Sequence, residues 1–190
     1  MGLTGGLGCG KSTAGKIFAE LGFRRIDCDE IVRDEVLTDP KIVSAVAARL
    51  GADVLDGDGR INRARVGARV FSNAEALRWL EELVHPEVSL RWKAAIAAAP
   101  EARWLVEIPL LFERDLQKEF DLVVCVACSP EIQLARLEQR GMTRTQAEQR
   151  IVKQLPLARK IELSDCVLSN DGTPEFLRAQ IENLVSRVSR

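Results

Sequence analysis

Leu3-Thr-Gly-Gly-Leu-Gly-Cys-Gly-Lys-Ser-Thr13 decides how the rest of this 190-residue chain is read. Within it, Gly5-Gly-Leu-Gly-Cys-Gly-Lys-Ser12 fits the spacing G-x-x-x-x-G-K-[ST], in which glycines let backbone N–H groups close around phosphate oxygens. Gly8, Cys9 and Gly10 supply that backbone. Lys11 reaches the β and γ phosphates of a nucleoside triphosphate, Ser12 sets its hydroxyl on Mg²⁺, and Thr13 neighbours the α phosphate. The short apolar run at residues 2–4 predicts a strand. Residues 12–21, apolar at helical spacing until Gly22, predict a helix whose N-terminus adds positive partial charge at the same anion.

Further strands are predicted at residues 23–28, 104–111, 122–128 and 166–169, with helical patterns between most of them. Strands alternating with helices imply an α/β fold, a mainly parallel sheet covered by helices on both faces. Residues 29–99 show no strand pattern but carry helical periodicity at 40–50 and 74–98, with a tight turn at Asp56-Gly-Asp-Gly59. That stretch is a helical insertion suited to cover a substrate. The length and the 46% hydrophobic content fit one domain: a core of about residues 1–29, 100–135 and 161–190, a helical region at about 30–99 and a lid at about 136–160. Only four residues precede Gly5, so the first strand is short, and its natural start lies upstream of Met1 or has been trimmed.

A formal net charge of −1 gives the chain no general attraction for nucleic acid or an anionic membrane, so any anion binding is local. The longest apolar stretches are too short to cross a bilayer and the N-terminus lacks a secretory pattern, from which a soluble, cytoplasmic enzyme is expected. Five cysteines, an odd number, fit reduced thiols. Cys125 and Cys128 form a C-x-x-C inside a buried-strand pattern; with no second pair and one histidine, they are read as small apolar fillers and not as a metal or redox centre.

Ile26-Asp-Cys-Asp29 places two carboxylates two residues apart where the second strand ends, on one side of the sheet and at the edge where open parallel sheets bind ligands. One carboxylate suits proton acceptance from an attacking hydroxyl and the other suits water around Mg²⁺; equally, Asp29 suits a helix N-cap before Glu30. Residues 136–160 hold seven Lys or Arg against two acids, including Arg136, Arg140, Arg144 and Arg150. Such a run is ordinarily a solvated face, but beside a phosphate loop mobile arginines neutralise a transferring phosphoryl group, which favours a lid. His85, before Pro86, is by chemistry alone a packing or capping residue.

The phosphate loop, Ile26-Asp-Cys-Asp29, His85-Pro86, Pro109-Leu-Leu-Phe-Glu113 and Asp165-Cys-Val-Leu-Ser-Asn-Asp-Gly172, taken in order, resemble the dephospho-CoA kinase family over nearly the whole chain. The resemblance implies transfer of the ATP γ-phosphoryl group, with Mg²⁺, to the ribose 3′-hydroxyl of dephospho-CoA, by a monomer or small homo-oligomer. It implies that Asp29 is the catalytic base. It also implies that Arg63, His85, Pro109, Leu110, Leu111 and Glu113 handle the acceptor, that Arg140 and Arg144 are lid arginines, and that Asn170 lies beside adenine. Two positions depart from the family's pattern. Cys9 stands where serine is frequent, leaving an oxidisable thiol beside the phosphates. Glu107 stands where an aspartate is frequent; either it or Asp27 would reach Mg²⁺ through water. The competing expectations are another P-loop kinase of nucleosides, nucleotides or small metabolites, and a nucleotide-binding switch, against which the lack of an N-K-x-D segment counts.

Overall fold

In the computed structural model, which describes residues 1–188, β1 (Gly2–Gly5) is buried along its length. It is the central strand of a five-stranded sheet in the order β2-β3-β1-β4-β5, with β2 at Arg24–Asp27, β3 at Trp104–Glu107, β4 at Val123–Ala127 and β5 at Cys166–Ser169. β1 pairs in parallel with β3 and β4, and β4 with β5. The connection leaving β1 runs toward β2 and the one leaving β4 runs toward β5, so the chain departs in opposite directions from two adjacent strands. That reversal opens a crevice at their C-terminal ends, the position at which doubly wound sheets take ligands. The glycine-rich loop follows β1 at this point.

Met1–Ile26 and the chain from Glu101 onward form one compact unit, and Asp27–Pro100 another. In the first, α1 (Lys11–Glu20) packs on β1 and β3 and against α9 (Pro174–Val188), joining Ile17 and Phe18 to Leu177 and Ile181 over Leu3, Val124 and Val126. Three further helices, α6 (Pro130–Gln139), α7 (Arg144–Ile151) and α8 (Leu157–Leu163), precede β5. In the second unit, α2 (Cys28–Asp34), α3 (Pro40–Leu50) and α4 (Arg63–Val70) pack on the long α5 (Ala74–Ala98). Its core is formed by Ile31, Val36, Ile42, Val46, Val66, Val70, Val84, Val88 and Trp92.

The strands are shorter than their apolar runs. β3 ends at Glu107, not at residue 111: the Ile108 N–H still reaches the Leu3 carbonyl at 2.9 Å, and from Pro109, a residue disfavoured inside a sheet, the chain turns away. At the other end of the expected second strand, the Phe23 N–H returns to the Phe18 carbonyl and closes α1, while Cys28 already begins α2.

Arg25 and Glu107 make a nearly enclosed ion pair across neighbouring strands β2 and β3, with side chains 17% and 3% exposed. The Glu107 carboxylate presses against α1 at Gly15, where a Cβ would collide with it. Removing one partner of such a pair strands the other charge in a poorly solvated site. Arg25→Ala is expected to lower unfolding stability by about 3 kcal/mol. Urea denaturation checks this, and an unchanged midpoint would mean that water solvates Glu107 adequately.

Candidate active site

A loop rich in glycine has little preference of its own for any one conformation, so it must be held from outside. Here it is. The Asn170 side chain, buried at the end of β5, donates from Nδ2 to the Cys9 carbonyl at 2.8 Å. From α6, Gln133 donates from Nε2 to the Leu7 carbonyl at 2.6 Å. Within the loop, the Cys9 N–H bonds the Gly6 carbonyl at 3.2 Å, and the N–H groups of Thr13 and Ala14 both return to Gly10 at 3.1 Å. Gly10 sits at φ 93°, and a side chain there would strike the Asn170 amide. Lys11 opens α1 and turns its ammonium back onto the carbonyls of Gly5 and Gly6, at 3.1 and 3.0 Å. Ser12 and Thr13, in the first turn of α1, are exposed.

Arg136, on α6, donates from Nη2 to the Asn170 carbonyl at 2.9 Å. Its Nη1 lies 3.8 Å from the place a Cβ on Gly10 would occupy and is buried with no hydrogen-bond partner among the described residues. An unpartnered guanidinium nitrogen beside a phosphate-type loop is the arrangement an incoming anion completes.

The loop also carries a thiol. Cys9 is fully buried and accepts a hydrogen bond from the Cys128 thiol across a 3.4 Å sulfur–sulfur contact. That bond, helped by the Lys11 charge, holds the Cys9 pKa down to about 7 against the opposing effect of burial, whereas Cys128, the donor, is pushed up. Cys125 is pushed up to about 11, chiefly by burial.

Pro109, Leu110, Leu111 and Glu113 form a turn after β3, fixed by a lysine that the charge pattern does not single out. Lys160 of α8 is completely buried, donating to the Pro109 carbonyl at 2.7 Å and pairing with Glu113 Oε1 at 2.9 Å. Glu113 Oε1 also accepts from the Leu155 N–H at 2.8 Å. The basic run is therefore not one solvated face. Arg140, the residue after α6, and Arg144, the first of α7, are exposed, and Arg144 pairs with Glu148 one turn along, at 3.1 Å.

In the second unit, the expected geometry of the two aspartates is corrected. Asp27 ends β2 and caps α2, its Oδ1 accepting from the N–H groups of Asp29 at 2.9 Å and Glu30 at 3.3 Å. Asp29 is thus neither the cap nor a strand residue; it is exposed in the first turn of α2. Arg63 begins α4 and is exposed, close enough to Asp34 to help lower that carboxyl after its main partner Arg33. His85 and Pro86 lie inside α5, with His85 half-buried. Glu107, one of the two carboxylates expected near the metal, has Oε1 engaged by Arg25. Among the described residues no group of three or more His, Cys, Asp or Glu is arranged to hold a metal ion, and no helix is long and apolar enough to cross a membrane.

Gln133 escapes sequence reasoning as an ordinary polar residue in a helical pattern, whereas Arg136 and Lys160 are counted in the basic run without their tertiary partners being legible. Gln133 shares the buried face of α6 with Leu137.

A braced glycine loop on the central strand of a doubly wound parallel sheet, followed by Lys-Ser-Thr at a helix N-terminus, defines the P-loop kinase fold. Two shikimate kinases share it at TM-scores of 0.51 and 0.52 with 13% and 19% identity, one from Bacteroides thetaiotaomicron and one from Acinetobacter baumannii. Within that class, residues 1–175 match the dephospho-CoA kinase family, and the chain belongs to it. It is 38% identical to the dephospho-CoA kinase of Thermosynechococcus vestitus, over 100% of this chain and 95% of that protein. It is 40% identical to that of Geobacillus kaustophilus, over 95% and 92%. The dephospho-CoA kinase structure from Campylobacter jejuni superposes with a TM-score of 0.73 at 25% identity, covering 99% of this chain and 96% of that one.

Lys160→Met keeps the length of the side chain while leaving the largely enclosed Glu113 carboxylate without its counter-charge. A loss of about 3 kcal/mol in denaturant-induced unfolding is expected, and a variant as stable as the wild type would show that Glu113 is adequately held by the Leu155 amide alone.

Proposed function

We propose that this chain transfers the γ-phosphoryl group of ATP to the ribose 3′-hydroxyl of dephospho-CoA, giving coenzyme A and ADP in the last step of coenzyme A biosynthesis. The observation that carries it is the phosphate loop, braced into position and bearing Lys11, in a chain that matches the dephospho-CoA kinase family over residues 1–175. Backbone N–H groups of the loop and of the α1 N-terminus bind the triphosphate. Lys11 exchanges its two loop carbonyls for phosphate oxygens and follows the charge that builds as the γ-phosphoryl group departs. Arg136 adds its unpartnered Nη1 to the nucleotide, a role in addition to those of Gly8, Cys9, Gly10, Ser12, Thr13 and Asn170.

Mg²⁺ fits this site as a partner of the triphosphate: Ser12 offers one exposed hydroxyl, and among the described residues no group of three or more His, Cys, Asp or Glu is arranged to hold the ion by itself. When bound with ATP it neutralises phosphate charge. Arg140 and Arg144 are the lid arginines. The exposed Arg144–Glu148 pair is worth only a few tenths of a kcal/mol, so a phosphate displaces it readily. Asp29 accepts the proton of the acceptor hydroxyl and aims its oxygen at the γ-phosphorus, while Arg63, His85 and the 109–113 turn hold the acceptor. The enzyme works in the cytoplasm as a monomer or small homo-oligomer.

Asp29→Asn keeps size and some hydrogen bonding but cannot take the proton, so kcat is expected to fall about 100-fold or more with little change in ATP affinity. Asp27→Asn is expected to be mild, because asparagine caps a helix as well as aspartate does. Steady-state kinetics with dephospho-CoA and ATP decide; a more damaging Asp27→Asn would move the base to Asp27.

Lys11→Ala is expected to lower kcat at least about 100-fold while the circular dichroism spectrum and thermal midpoint stay near wild type. Undiminished turnover would remove the loop from the catalytic machinery.

A further inference from the structure

The C-x-x-C of β4 does not unite its own two sulfurs; it brings one of them, Cys128, to the phosphate loop. Cys9 and Cys128 are 119 residues apart in sequence, yet their sulfurs touch at 3.4 Å. Both residues are buried, at 0% and 6% exposure, and belong to the same compact unit. We propose that Cys9 and Cys128 are a reversible modification site, a disulfide formed with a peroxide as oxidant that closes the phosphate loop to nucleotide.

The step needs little movement. A disulfide has its sulfurs about 2.05 Å apart, so the pair closes by about 1.3 Å. Cys128 directly follows β4 and precedes Ser129, the residue that caps α6, so it is anchored on both sides. Cys9 is in a loop. The loop therefore moves, against the hydrogen bonds of the Cys9 N–H to Gly6 and of the Cys9 carbonyl to Asn170. Those two bonds set the direction of the peptide groups on either side of Cys9, and a displacement of about 1 Å there turns N–H groups away from the phosphates, beyond hydrogen-bonding geometry.

The Cys9 thiolate attacks one oxygen of hydrogen peroxide; the O–O bond breaks, and the leaving hydroxide takes a proton to become water, leaving a sulfenic acid on Cys9. The Cys128 sulfur attacks the Cys9 sulfur; the S–O bond breaks, hydroxide leaves as water with the Cys128 proton, and the S–S bond forms. Two thiols are oxidised and one peroxide is reduced to two waters. Burial restricts the oxidant to a molecule of this size. The thiolate is available near neutral pH, since Cys9 has the Cys128 hydrogen bond and Lys11 beside it; the other charged or titratable groups facing the pair are Cys125, Arg136 and Asp171.

The proposal rests on the loop binding nucleotide, and the test separates the two. Reduced protein is first titrated with ATP; absence of binding there counts against the functional assignment and not against the disulfide. The protein is then treated with hydrogen peroxide and its peptides are mapped without reduction. A Cys9–Cys128 linked peptide is expected, with intact mass lowered by two hydrogens, nucleotide affinity reduced at least tenfold, and both restored by dithiothreitol. The rate of linkage should rise with pH through neutrality as the Cys9 thiolate forms. Cys128→Ala leaves activity before treatment unchanged. Without a resolving thiol, its Cys9 proceeds to the sulfinic acid, so the activity recovered with dithiothreitol falls several-fold below wild type. Cys128→Ser serves the same purpose should the alanine variant fold poorly. Peroxide inactivation without the linked peptide, or a linked protein that binds ATP as tightly as the reduced one, overturns the proposal.

Discussion

The hydrogen bond from the Asn170 side chain to the Cys9 carbonyl is the constraint on which the site depends. A loop containing Gly5, Gly6, Gly8 and Gly10 gains freedom of approach to a ligand at the cost of any local preference for one shape. Its shape is imported from elsewhere. Asn170 comes from the end of β5 and Gln133 from the helix after β4, so the parallel sheet, by aligning the C-terminal ends of its strands, gathers at one edge groups more than a hundred residues apart in sequence. The sheet is in this sense part of the loop.

Two enclosed ion pairs do a related job at strand ends. Arg25–Glu107 joins β2 to the end of β3, and Lys160–Glu113 fastens the turn that follows β3 to α8. Buried pairs of this kind add little net stability compared with apolar residues of the same volume, because desolvation offsets attraction. What they confer is direction. A carboxylate that must meet a particular cation leaves the turn at residues 109–113 one arrangement, and Pro109 removes the alternative of continuing the strand.

Much of the fold is legible in the sequence, because the periodicities that announce it are local. The central strand, the phosphate loop, α1, α3 and α5 follow from residues next to one another, and Pro40–Leu50 and Ala74–Ala98 are helices where their spacing predicts them. Strand ends are less legible. Residues 108–111 are as apolar as the strand before them, and the chain turns at Pro109, where Lys160 holds the carbonyl. The site divides in the same way. Lys11, Ser12 and Thr13 carry their meaning in a motif, whereas Gln133, Arg136 and Lys160 acquire theirs from partners supplied by tertiary structure. Asp27 and Asp29 show how a strand pattern misleads: spacing by two puts both on one side of a strand, but the chain becomes helical between them, and Asp27 is turned to capping.

Lys11 bears on selectivity for the anion. Its ammonium does not wait in water; it is already coordinated by the carbonyls of Gly5 and Gly6. Anion capture is consequently a ligand exchange at nitrogen, in which oxygens of the loop's own backbone are traded for oxygens of the guest. A polyphosphate offers full negative charge at several oxygens spaced along the loop, where the resting carbonyls offer only dipoles.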